Sequence, residues 1–138
     1  MGELVDWHTH CFLHDHRTDE DRALQVQTNV LGDGQADPDQ HAAAIDEAGI
    51  DKFVVVGLPK RDGNHTPSEF IAEIVARHPG RAVGFCSVHP HDEDAPVAFE
   101  HAIALGLKGL KISPTYQAMD PSSEVCFPLY EIACQHDL

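Results

Sequence analysis

Four short apolar runs recur along the chain: Leu4 to Cys11, Lys52 to Leu58 (KFVVVGL), Ala82 to Val88 (AVGFCSV) and Leu107 to Ile112 (LKGLKI). Their length and β-branched content predict strands. Each is followed by a stretch of helical period with its own start and stop signals. In ADPDQ, Asp37 is placed to cap a helix, Pro38 takes its first position and Gln40 sits at capping-box spacing. That helix runs to about Ala48 with Ala44, Ile45 and Ala48 on one face, and Gly49 stops it. In TPSE, Thr66 caps, Pro67 opens and Glu69 reaches back; Phe70, Ile71, Ile74 and Val75 form the apolar stripe, and Pro79-Gly80 ends it. A third helix starts at Asp94 and carries Val97, Phe99, Ile103 and Leu105 before Gly106. A fourth opens near Phe127-Pro128 and continues through Leu129, Tyr130, Ile132 and Ala133.

Strand and helix therefore alternate, which predicts an α/β fold: a parallel sheet with right-handed crossovers and helices outside it. Open doubly wound sheets and closed (β/α)8 barrels both fit. No G-x-G-x-x-G follows the first run, which counts against the dinucleotide-binding version. Residues 12 to 36 form a long insertion that leaves the C-terminal end of the first strand, the end where such folds place their sites. Its length predicts a functional loop or a short helix of its own. The later strands begin at 52, 82 and 107, so a fifth would fall due just after Leu138. Residues 1–138 are expected to form a single domain, the N-terminal four βα units of a TIM barrel of roughly 250 residues. A free-standing four-strand domain and a dimer of half-barrels are the alternatives.

Composition narrows the partners. Asp plus Glu number 23 against 9 Lys plus Arg, a formal charge of −14. That balance disfavours nucleic-acid backbones and anionic membrane surfaces. No run approaches the ~20 apolar residues of a membrane span. The opening MGELVDWHTH lacks the basic start and apolar stretch of a signal peptide, so a cytoplasmic location is expected. Cys11, Cys86, Cys126 and Cys134 show no C-x-x-C spacing and read as reduced thiols, mostly buried.

The candidate chemistry lies in DWHTHCF, residues 6 to 12. Strand alternation would put Asp6, His8 and His10 on one side, with Trp7 and Thr9 on the other. In a barrel the first set faces the interior, and Trp7 is expected to pack between the strand and a helix. Two imidazoles so spaced can hold one divalent ion, at about 2.0–2.1 Å for zinc. A ligating histidine donates its other ring N–H to an acceptor, for which Asp6 is a candidate. The plainer alternative is a surface strand whose histidines are satisfied by hydrogen bonds.

These residues resemble the amidohydrolase superfamily, more narrowly its amidohydrolase-2 group. That group contains metal-dependent hydrolases and decarboxylases related to aminocarboxymuconate semialdehyde decarboxylase. VDWHTHCF is similar to the family's first-strand metal motif. FCSVHPHDEDAPVAFEHAIALGLKGLKISPTYQAMD is similar to its third strand, third helix and fourth strand, and PLYEIACQHDL to its fourth helix. The resemblance implies a barrel of the metal-dependent hydrolase type, with His8 and His10 as ligands of a divalent metal, zinc. The family's other ligands, a His on strand five, a His near strand six and an Asp on strand eight that acts as base, are expected beyond Leu138. No catalytic residue is assigned within this chain. The implied activity is attack of a metal-activated water on a carbonyl of a small-molecule substrate. The alternatives are a related non-oxidative decarboxylase, or an inactive barrel fragment that mediates association, including homo-oligomers.

Lys111 shares a strand face with Gly109 and Ser113, and some superfamily members bridge two metals with a carboxylated lysine on strand four. Relatives with a GLKISP-like run mostly use one metal, so Lys111 is a candidate substrate or metal contact, or an ion-pair partner. His89, at the end of the third strand, is a candidate substrate or metal contact. His14 and His16 read as loop residues and His91 as exposed, while His41, His65, His78, His101 and His136 read as surface residues. PHP-type phosphoesterases also open on H-x-H, but they need further His and acidic ligands soon afterwards, and GLKGLKISP fits them poorly.

Overall fold

A computed structural model describes residues 2–28 and 37–138. Strand β1 (Val5–Thr9) leads through a 3-10 turn at His14–His16 into helix α1 (Asp19–Thr28). Then follow α2 (Pro38–Glu47), β2 (Lys52–Val56), α3 (Ser68–Arg77), β3 (Ala82–Ser87), α4 (Ala95–Ala104), the short β4 (Leu110–Lys111) and α5 (Phe127–Gln135). The strands make one sheet in the order β1-β2-β3-β4, and every pairing is parallel. The long insertion thus holds a helix of its own; its residues 29–36 lie outside the described residues.

Helix ends follow the local chemistry. The Asp37 carboxylate accepts from the N–H groups of Asp39 (2.9 Å) and Gln40 (3.0 Å), satisfying donors that the first turn leaves free. Gly49, Gly80 and Gly106, just past three helices, adopt φ of 67°, 76° and 93°, a region where a Cβ is penalised. At α3 the chain departs from expectation. Thr66 does not cap: its hydroxyl accepts from the N–H of Leu58 (3.2 Å), and the helix begins at Ser68. Asp94 precedes α4 without a side-chain capping bond.

One apolar layer joins the sheet to its helices. Phe53 and Val55 of β2 and Cys86 of β3 pack with Ile45, Ile71, Ile74, Phe99 and Leu129. Gly84 lets this layer close, since a Cβ there would lie 2.7 Å from Leu107 and 2.8 Å from Ile71. Val97 and Leu105, expected on the buried stripe of α4, are exposed; Ala95, Phe99 and Ala102 form that stripe. On α2 the inward face is His41 and Ile45, while Ala44 and Ala48 are exposed. Trp7, expected to be packed, is 74% exposed. Among the described residues no helix is long and apolar enough to cross a membrane.

Candidate metal centre

The C-terminal end of β1 is not a regular strand. Asp6 pairs with Phe53 and Thr9 with Val55, so β1 advances three residues while β2 advances two. The extra residue is a bulge, which breaks alternation. Asp6 and Thr9 therefore both fall in register with the helix-facing Phe53 and Val55, although three residues separate them. The strict alternation expected of Asp6, His8 and His10 is thus interrupted between Asp6 and Thr9. The Asp6 carboxylate accepts instead from the backbone N–H of His8 (2.9 Å), holding the bulged peptide and leaving both imidazoles to other partners.

The two rings converge. His8 Nε2 and His10 Nε2 lie 3.1 Å apart, the rings edge to face at 4.8 Å between centroids. His10 Nδ1 lies 2.8 Å from the carbonyl oxygen of Val56. A carbonyl only accepts, so Nδ1 carries the proton and Nε2 presents a lone pair. Burial pushes the His10 imidazole below its ordinary value of 6.5. The Val56 carbonyl opposes that shift, while the charges of His8, Lys111 and Arg17 add to it. His10 is thus held neutral, the state in which imidazole ligates a metal. With the His10 Nε2 lone pair free, the 3.1 Å contact is a hydrogen bond donated by His8 Nε2–H; a divalent ion would take the place of that proton, with the two Nε2 atoms as its donors. Among the described residues no group of three or more His, Cys, Asp or Glu is placed to hold an ion, so this pair supplies two donors.

The neighbouring loops are tied together. Gln117, 2% exposed, donates to the carbonyls of Lys60 (3.1 Å) and Val88 (2.8 Å) and accepts from the N–H of Ser113 (2.7 Å). One side chain thereby joins the segments that follow β2, β3 and β4. On the insertion, Arg17 is buried over the Phe12 ring, 5.2 Å from its centroid, and is ion-paired with Asp21, which also accepts from Arg61 (2.7 Å).

Lys111 pairs in register with Ser87, is half-buried, and acts electrostatically on His10. Among the described residues no carboxylate pairs with its ammonium. His89 is half-buried on the loop after β3, where its Nδ1 accepts from the N–H of His91 (3.3 Å). The structure records no direct contact between His89 and the His8–His10 pair.

His41 was missed by sequence reasoning. It is 7% exposed, and its Nε2 lies 3.0 Å from the Thr9 hydroxyl. A groove of about 450 Å³ beside β1 is lined by His8, His10, Asp6 and His41 together. One signal was available: His41 stands four residues before Ile45, which places both on one helix face.

Four parallel βα units, with a histidine pair at the C-terminal end of the first strand, define half of a TIM barrel. The chain belongs to the amidohydrolase family, whose profile matches residues 5–138. No curated protein matches it. Solved structures share the fold. A TIM-barrel protein of Bordetella bronchiseptica is 14% identical with a TM-score of 0.75, over 99% of this chain and 53% of its own. The 5-carboxyvanillate decarboxylase of Novosphingobium aromaticivorans, with manganese and 3-methoxy-4-hydroxy-5-nitrobenzoic acid bound, is 18% identical with a TM-score of 0.66, over 99% and 49%. A probable 2-pyrone-4,6-dicarboxylic acid hydrolase of Acinetobacter baumannii, with citric acid bound, is 16% identical with a TM-score of 0.64, over 96% and 46%. The chain spans about half the length of the solved structures it matches. Its fold is that of the N-terminal four βα units of a TIM barrel.

Proposed function

We propose that this chain carries the first-strand ligand pair, His8 and His10, of a divalent-metal-dependent hydrolase acting at a carbonyl of a small carboxylate-bearing molecule. The observation that carries this reading is the convergence of the two Nε2 atoms at 3.1 Å, with the His10 lone pair turned inward by its Nδ1–H bond to Val56. Zinc suits two imidazole donors. When bound, the ion supplies Lewis-acid chemistry, polarising a carbonyl and acidifying water. The chain's own residues orient and bind. His8 and His10 fix the ion's position relative to the sheet, and Lys111, half-buried with no carboxylate partner among the described residues, offers its ammonium to a substrate carboxylate. The four units act as half of a barrel, and His8 and His10 are the two donors they bring to the ion.

Non-oxidative decarboxylation is the second reading. It is favoured by the fold likeness to 5-carboxyvanillate decarboxylase and by the same Lys111 ammonium, which suits the carboxylate of an aromatic acid.

Calorimetric titration with Zn²⁺ and Mn²⁺ tests the shared core of both readings. One ion should bind per chain, and His8→Ala or His10→Ala should abolish the binding. Failure of the wild-type chain to bind either ion, or binding unchanged in both variants, would overturn it.

A further inference from the structure

A second set of hydrogen bonds lies behind the imidazole pair, on the helix side of the sheet. Thr9 sits between His8 and His10 at the C-terminal edge of the bulge. Its hydroxyl donates to the carbonyl of Val54 (3.2 Å) and so spends its only proton on β2. The His41 Nε2, 3.0 Å from that oxygen, must then be the donor. His41 reaches across from α2, a helix anchored by the Asp37 cap and packed through the edge-to-face contact of His41 with Phe53, 5.3 Å between centroids. Its other nitrogen, Nδ1, is buried without any partner among the described residues.

A buried acceptor with no hydrogen bond lowers stability, and an apolar residue of similar volume would avoid the loss. The helix nevertheless presents a histidine at this point and uses only one of its two nitrogens. The nitrogen that is used grips the one residue lying between the two candidate ligands.

We propose that His41 is a positioning residue: acting through the Thr9 hydroxyl, it holds the C-terminal end of β1 against β2 at the register in which the Nε2 atoms of His8 and His10 meet. Thr9 lies between the two histidines, so a slip of its side chain against β2 would carry the backbone of both rings with it. The bonds from His41 to Thr9 and from Thr9 to Val54 lock the extra residue in place from the helix side, while Asp6 locks the peptide of His8 from within the strand. As far as it concerns an ion, this inference rests on the reading of His8 and His10 as ligands; as far as it concerns ring geometry, it does not.

The test uses His41→Leu, His41→Gln, Thr9→Val and the double variant His41→Leu/Thr9→Val. Two readouts are taken: Zn²⁺ affinity by calorimetry, and the ring tautomers of His8 and His10 by long-range ¹H–¹⁵N correlation spectra of the metal-free chain near neutral pH. His41→Leu should weaken Zn²⁺ binding by about 10-fold or more, the scale on which outer hydrogen-bond partners act on metal affinity. It should also replace the single Nδ1–H tautomer of His10 by a mixture. His41→Gln, whose amide N–H can still donate to Thr9, should restore both. Thr9→Val should match His41→Leu, and the double variant should be no worse than either single one. Wild-type affinity and wild-type tautomers in His41→Leu would overturn the inference while leaving the ligand reading intact. If the wild-type chain binds no Zn²⁺, the ligand reading falls and the tautomer spectra alone decide the positioning role. Should His41→Leu fail to fold, Thr9→Val decides, and wild-type behaviour there would overturn the inference.

Discussion

Gly109 lies immediately before β4, and its carbonyl accepts from the N–H of Cys86 (3.0 Å). A Cβ added there would meet the ring of Phe85, with two ring atoms at 2.6 Å and a third at 2.7 Å. Ordinary contact begins at 3.4 Å, so the ring or the strand must recede by about 0.8 Å, a shift of the size that makes overpacked cores cost about 1–3 kcal/mol. The Gly109 backbone is not in the left-handed region, so alanine meets no φ penalty and gains about 0.4–1 kcal/mol by restricting the unfolded chain. Gly109→Ala should therefore lose about 1–2 kcal/mol net. The assay is urea unfolding followed by circular dichroism, read as a fall in midpoint at constant slope. The same substitution in a Phe85→Ala background should be neutral or stabilising, because the obstructing ring is gone. Equal losses in both backgrounds, or no loss in either, would refute the claim that contact with Phe85 is what requires glycine here.

Other outcomes follow from the same physics. Burial foremost holds the imidazoles of His16, His41, His65 and His78 below their ordinary value of 6.5. In the window just below 6.5 the unfolded chain then binds more protons than the folded one, so thermal stability should fall as the pH is lowered from 7.5 to 5.5. A melting temperature that stays flat or rises over that range would contradict this. Burial pushes the Cys11 and Cys86 thiols up to about 12, Cys126 is buried as well, and Cys134 is exposed. An aromatic disulfide reagent should therefore titrate one thiol in the native chain and four in denaturant. Asp37→Ala removes the acceptor of two first-turn N–H groups and should cost about 1 kcal/mol by urea unfolding, with Asp37→Ser restoring most of it.

Much of the architecture can be read from local chemistry. The Asp37-Pro38 start of α2, the glycine stops at 49, 80 and 106 and the buried pair Ile71 and Ile74 of α3 each depend on residues close in sequence. The alternation of elements then leaves a parallel sheet as the economical solution. The departures share one cause, a partner distant in the chain. Thr66 is drawn from its capping role by the N–H of Leu58, across the loop after β2. The bulge in β1 exists only in the pairing with β2, so no periodicity within DWHTHCF reveals it. At the candidate site His8 and His10 meet ring to ring, whereas Asp6 meets His8 only at its backbone N–H. His41 looks like any helical histidine until Thr9 lies opposite it, and Trp7 lies exposed where an intrachain partner was expected.

His8 and His10, on the proposed reading, hold one ion between their Nε2 atoms. Crystals of the chain grown with Zn²⁺, measured on both sides of the zinc absorption edge, test that directly. The account expects a single anomalous peak about 2.0–2.1 Å from each Nε2, with the Nδ1 of His10 still bonded to the Val56 carbonyl. Rings turned to opposite sides of the sheet, or a zinc peak bound elsewhere with this pair unligated, would contradict it.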